Sequence, residues 1–252
     1  MINKIRRNIQ ADLLLLCRSS IICSSLYIAM FWLAYVLYKA SIGYVDTGTE
    51  LYIDEAYIAL VAHNSFVMIV VGAWLGTIEQ RYRTYCVRVV NTERWIFTCG
   101  RIATIFLISL CLCVIHMLAG VIYDSVERGL GILTIDEVGK FVCVLIATFF
   151  WGCFSYVMGI FTMSLSISTT LGILYLFVQA ILHNYLPQKI LCFLPSWQKN
   201  NMLYPYLSGK QRGILFFAHS DAGDFTLGLV TTLGWIVLFS GMALWREKGR
   251  QY

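Results

Sequence analysis

The chain has 252 residues, of which 59% are hydrophobic and only 13% charged, with a formal net charge of +5. A composition this apolar excludes a disordered or freely solvated chain, and the small basic excess calls for no nucleic-acid partner. Its 19 Lys/Arg and 14 Asp/Glu all fall outside six apolar stretches, at 19–38, 58–78, 102–123, 141–163, 171–185 and 225–245. Most of these match the roughly 20 residues a helix needs to cross the ~30 Å hydrocarbon core. In lipid every backbone N–H and C=O must pair within its own segment, so the stretches are predicted as helices. The predicted fold is an all-α integral membrane protein, with a single transmembrane domain over 1–252.

Residues 1–18 open the chain. Ile2, Ile5, Ile9, Leu13 and Leu16 recur at helical spacing, while Lys4, Arg6, Arg7, Asn8 and Gln10 lie off that stripe. The pattern predicts an amphipathic helix lying in the membrane interface, with Ile5 and Ile9 toward lipid and Arg6 and Arg7 toward headgroups. A simpler reading makes it only a basic anchor for the first span. That span, 19–38, is long and follows a polar lead, so it reads as retained rather than as a cleaved signal peptide.

The second span, 58–78, carries His63 and Asn64. With Gln179 and His183 of the fifth span they are the candidate lining of a substrate path, because polar side chains in spans face the bundle or water. Interhelical hydrogen bonds would account for them equally well. The spans as counted hold no Asp, Glu, Lys or Arg. That weighs against an ion-driven pump or a proton relay.

Residues 79–101 connect the second and third spans. The segment contains no Pro, and its only Gly is Gly100. Arg81, Arg88 and Arg94 stand beside Val87, Val89, Val90, Trp95 and Ile96, and Asn91-Thr92 interrupts the run. Thr92 is placed to cap a new helix with Glu93 in its first turn. A helix–turn–helix is predicted here, suited either to docking a soluble partner or to anchoring at the membrane surface.

The third and fourth spans, 102–123 and 141–163, follow. The uncharged Ser-rich link 164–170 is so short that the fourth and fifth spans must form a tight antiparallel hairpin. Its Ser/Thr residues extend the fifth span back to 168. Residues 186–224 carry all three prolines, Pro187, Pro195 and Pro205, together with short apolar runs at 190–194 and 214–217. Such runs are interfacial or re-entrant, or they form a compact cap. The sixth span, 225–245, precedes a basic end.

Orientation follows from charge. The N-terminus, the second and fourth connections and the C-terminus together hold twelve of the 19 Lys/Arg and four of the 14 Asp/Glu. The basic set stays in the cytoplasm, which places both termini inside. Nine cysteines are scattered mainly through the spans and their flanks and read as small apolar residues. No metal site, catalytic constellation or phosphate-binding loop is visible: Gly209-Lys210 runs into Gln211.

Taken together, the lead helix, the six spans and the basic connection resemble the permease subunits of ABC-2-type transporters, the type V ABC exporters. Members often carry a Glu at the end of span two, a Gly-Thr shortly after, a Ser-Arg turn and a further basic residue. Here Glu79 is followed by Thr84, by Thr92-Glu93-Arg94 and by Arg101, with Arg83 in place of the Gly and Arg101 in place of the usual Lys. The 164–170 link and the Trp245-Arg246-Glu247-Lys248 ending also resemble members. The resemblance implies a non-catalytic subunit in the plasma membrane. It would pair with a second copy or a sister permease and with a cytoplasmic ATP-binding dimer. This chain would bind no cofactor, and ATP and Mg would sit in the ATPase. By the same resemblance Glu79, Arg81, Arg83, Thr84, Arg88, Thr92, Glu93, Arg94 and Arg101 are the ATPase-coupling residues. Export of a hydrophobic or amphipathic substrate (a peptide, antibiotic or lipid) is implied, closest to the bacteriocin-immunity or antimicrobial-peptide exporters. The competing classes are the substrate-capture subunit of a vitamin importer and a non-transport membrane assembly protein.

Overall fold

The computed structural model describes residues 2–41, 64–78, 93–128, 135–187, 190, 194 and 225–249. Among these every regular element is a helix: α1 (Ile2–Arg18), α2 (Ser20–Ser41), α3 (Asn64–Ile78), α4 (Arg94–Arg128), α5 (Ile135–Thr162), α6 (Leu165–Tyr185) and α7 (Phe225–Gly249). Three stretches are long and apolar enough to cross a membrane: Arg94–Tyr123, Val138–Thr162 and Phe225–Lys248. A fourth is added if α1 and α2 make one span bent by 76°. Shorter apolar helices run over Asn64–Ile78 and Leu165–Val178. The chain is an all-α membrane protein.

Helix α5 is the centre of the bundle. Its apolar window is 67% buried, against 33% for that of α4 and 28% for that of α7. It packs against α4, α6 and α7. Phe150, Trp151 and Phe154 of α5 form an aromatic cluster with Tyr175 of α6 and Phe239 of α7. The outer faces of α2 and α7 expose Tyr27, Ile28, Phe31, Val230 and Val237. Water would penalise such faces, whereas lipid tails accept them.

The contact of α3 with α5 depends on glycine. A Cβ on Gly76 would come within 2.5 Å of the Tyr156 carbonyl oxygen and 2.9 Å of the Gly159 Cα. Gly72 faces Gly152 and Tyr156 just as closely. Lipid gives helices no hydrophobic reason to associate, so dispersion between close backbones must hold them, and only small residues allow it. The result is a dry contact in which Met68, Ile69, Val71 and Ala73 are wholly enclosed.

Several boundaries differ from the sequence expectation. Helix α4 runs without a break from Arg94, so the second half of the 79–101 connection belongs to the same helix as the third span. Glu93 is not in the first turn; it stands just before it, and its carbonyl accepts from the Phe97 N–H at 3.1 Å. Thr92 lies outside the described residues. Most of the 164–170 link is also helical. The turn between α5 and α6 is only Met163-Ser164, with Met163 in the left-handed region at φ 57° and the Ser164 hydroxyl capping Ile167 N–H. Six charged residues lie within these apolar helical stretches, Arg94, Arg101, Lys140, Arg246, Glu247 and Lys248, so the helices run past the charges that bounded the expected spans. The charge count had set each span to begin after its last charge, and a helix does not stop there.

On this geometry Gly76→Leu should abolish the folded state, since backbone cannot yield. Gly234→Ala has open space around it and should be neutral or stabilising by about 0.5–1 kcal/mol. Thermal unfolding of both variants in detergent micelles measures the contrast.

Candidate functional site

A cluster of charged and polar groups stands at one end of the bundle. That end holds α1, the last turn of α3, the first two turns of α4 and the last turn of α7. Its centre is Arg101, fully buried despite its charge. Gly100, its neighbour, lets α1 lie close: a Cβ there would come within 3.0 Å of the Asn8 Cβ. This approach brings Asp12, also buried, to Arg101, with Nε and Oδ2 2.8 Å apart. The carboxylate lies off the Nε–H axis, so this contact is an ion pair rather than a straight hydrogen bond. Arg101 Nη1 donates to the Leu75 carbonyl oxygen of α3. The guanidinium carbon also lies 4.8 Å from the centre of the Phe97 ring. One cation thus meets three helices.

Such a pair owes its place to mutual need. Removing one partner of a buried ion pair costs about 3–5 kcal/mol, because the other charge is left in a low dielectric. Replacing both by apolar residues is often neutral. The pair therefore specifies how α1 sits more than it adds net stability.

Arg94 anchors a fourth helix. Its Nη1 donates to the Glu247 and Lys248 carbonyl oxygens, at 3.4 and 3.2 Å. These belong to the last turn of α7, whose carbonyls lack partners within their own helix and favour a cation. Beside it Trp95 Nε1 donates to the Glu93 carboxylate. Arg246 stacks over Phe161 of α5 at 5.7 Å.

Of the expected coupling residues, the structure brings together Arg94 and Arg101, with Glu93 alongside. Glu79, Arg81, Arg83, Thr84, Arg88 and Thr92 lie outside the described residues. Arg101 is enclosed by its own chain and offers no surface to a partner. In α1, Arg6 and Arg7 are exposed and Ile5 and Ile9 half-buried. Leu13 is half-buried and Leu16 buried on the same side, Ile2 is 77% exposed, and the covered side also takes in Asn8 and Asp12. Asn8 and Asp12 take that face because Gly100 and Arg101 await them there.

The expected substrate-path residues are only partly placed. His63 lies outside the described residues. Gln179 and His183 fall in α6, with their side chains undescribed. Asn64 is wholly buried, and neither of its amide atoms has a hydrogen-bond partner among the described residues. Elsewhere in the interior the Cys113 thiol approaches the Thr148 hydroxyl at 3.8 Å, and His116 Nδ1 donates to the Leu112 carbonyl at 2.7 Å. Among the described residues no group of three or more His, Cys, Asp or Glu is arranged to hold a metal.

Asp12, Leu75 and the α7 end were not expected at the site. Asp12 did leave a signal: it is the sole acid in a basic, Leu-rich helix at the membrane edge, where a charge needs a partner. No protein-family model matches the chain, and no characterised protein is significantly similar to it.

Asn64 generates a prediction. An unmet buried polar atom costs about 1–3 kcal/mol, so Asn64→Leu, close in volume, should raise the resistance to unfolding. Denaturation in mixed micelles measures it, and a loss of stability would mean that the amide is paired in the bilayer.

Proposed function

We propose that the chain is the permease subunit of an ATP-driven exporter of the ABC-2 type, carrying half of a path for a hydrophobic or amphipathic substrate. In this reading α2, α3, α4, α5, α6 and α7 belong to the six spans, and α3 and α6 are completed by flanking apolar residues. Both termini face the cytoplasm of a cell bounded by the plasma membrane. The 79–93 connection docks a cytoplasmic ATPase dimer, which holds the ATP and Mg, and a second permease completes the path.

The observation that carries the reading is the convergence of helix ends around the basic connection. The chain leaves α3 and enters α4 at the end where Arg101 and Arg94 also gather α1 and α7. A push delivered there reaches four helices at once. Basic residues Lys4, Arg6, Arg7, Arg18, Arg246 and Lys248 belong to that same end. Asp124, Glu127, Asp136 and Glu137 belong to the far turns of α4 and α5. This asymmetry supports a cytoplasmic basic end. ATP binding does work only if the ATPase shape it favours also favours one helix arrangement, and linked helix ends supply that dependence.

Two experiments test the reading. Cysteines introduced at Thr47 and Ser220 should react with an impermeant thiol reagent on intact cells, and protection of both would overturn the orientation. The tagged full chain, extracted in mild detergent, should co-purify with an ATP-binding chain and show ATP hydrolysis. Glu79→Ala and Arg88→Ala should lower that association about tenfold or more, since a lost charged docking contact costs on the order of 2–5 kcal/mol. Arg94 is the poorer probe because it already holds α7. Recovery of the chain with no nucleotide-binding partner would remove the transporter reading.

A further inference from the structure

Beyond that reading, we infer that Asp12 and Arg101 form a rigid tie that makes α1 part of one moving body with the end of α3 and the start of α4. The tie does not depend on any ATPase.

The argument begins with the apolar face of α1. Leu13, Leu15 and Leu16 pack on the core, and Leu16 is buried. Greasy contacts alone would let a helix slide or roll, since neighbouring positions of similar side chains are nearly equivalent. A buried charge is different. Asp12 is paired with Arg101 at this one register, and a slide pulls two buried charges apart. Gly100 supports the same register by shape, because a Cβ there would crowd the Asn8 side chain that lies against it. Register is thus set twice, by charge and by shape, in adjacent residues.

Arg101 then extends the tie to α3. The group that holds Asp12 also donates to the Leu75 carbonyl, in the last turn of α3. Among the described residues, one α4 side chain therefore links α1 to α3 at this end. The arrangement is a tie and not a switch: Asp12 and Arg101 are both enclosed, so neither has solvent to move into when the pair opens. The bend at Ser19 completes the picture. Its N–H bonds to the Leu16 carbonyl at 3.0 Å and its carbonyl accepts from Cys23 N–H at 2.9 Å, so α1 hands over to α2 with little slack.

The routing predicts an asymmetry between the two partners. Asp12→Asn removes the α1 side only. Arg101→Leu removes the α1 and α3 sides together. Asp12→Leu combined with Arg101→Leu removes both charges and leaves an apolar contact for α1, but still no donor for Leu75.

Hydrogen exchange read by mass spectrometry on the full chain in lipid nanodiscs tests this. In Asp12→Asn, amides of 2–18 should exchange about tenfold faster or more, with 72–78 unchanged. In Arg101→Leu both segments should accelerate. In the double variant 2–18 should return toward the parent rate while 72–78 stays fast. Residues 144–160 of α5 serve as the control that each variant is folded. The inference is overturned if Asp12→Asn leaves 2–18 protected, for then the leucine face alone holds the helix. It is equally overturned if the double variant exchanges at 2–18 as fast as the singles, for then the two charges act independently. No ATPase is present, so either result leaves the transporter reading to its own tests.

Discussion

Water squeezes helices together in a soluble protein, but lipid tails are as apolar as the side chains they would touch. This chain meets that constraint in two ways at two depths. In its interior the backbones of α3 and α5 approach until only hydrogen fits between Gly76 and Gly159. Dispersion over a close, rigid contact replaces the missing hydrophobic force. At the polar end the helices are joined by charges and by carbonyls that their own helices cannot satisfy. The two modes are complementary: glycine packing fixes how near α3 lies to α5, and the arginines fix how the helix ends are arranged.

The arginines owe their reach to helical spacing. Arg94 and Arg101 are two turns apart and so share roughly one side of α4. Between them lies Phe97, whose ring supports the Arg101 guanidinium. One helix start therefore distributes two cations, one to the carbonyls closing α7 and one to Asp12 and the carbonyl of Leu75. Charges near the start of a helix are usually acidic, since its N–H groups favour anions. Here the first turn of α4 has no acid, and Glu93 stands just before it. Arg94 and Arg101 are retained against that local preference because their partners lie on other helices.

Much of this was legible in the residues, and the failures have a common cause. Apolar runs located the helices, because bilayer thickness and backbone pairing leave few alternatives. The lead helix was legible as amphipathic, but the polar residues on its covered face were not. Counting only hydrophobic residues put Ile2 on the stripe and excluded Asn8 and Asp12. Periodicity weighs each side chain by its preference for oil; it has no term for a partner far away in the chain. The helices likewise run past the expected span edges, since a charge does not end a helix: Arg101 and Lys140 are buried within one. The Gly72-x3-Gly76 spacing was present in the sequence, yet nothing in it names Gly152 and Gly159 as the facing surface.

The two buried polar sites differ in what they ask of the fold. Arg101 and Asp12 are buried as an ion pair, each charge facing its opposite within the chain. Asn64 has its amide enclosed and unmet, in a helix whose neighbouring positions, Val67 and Met68, are packed tightly. A group kept at such a cost is either offset by stability elsewhere or serves an occupant that supplies the missing bonds. The glycine contact provides that surplus close by, on the same helix as Asn64. Helix α3 thus combines a rigid lower half, gripped by α5 and held at its end by Arg101, with an upper end carrying an amide for which the described residues offer neither donor nor acceptor.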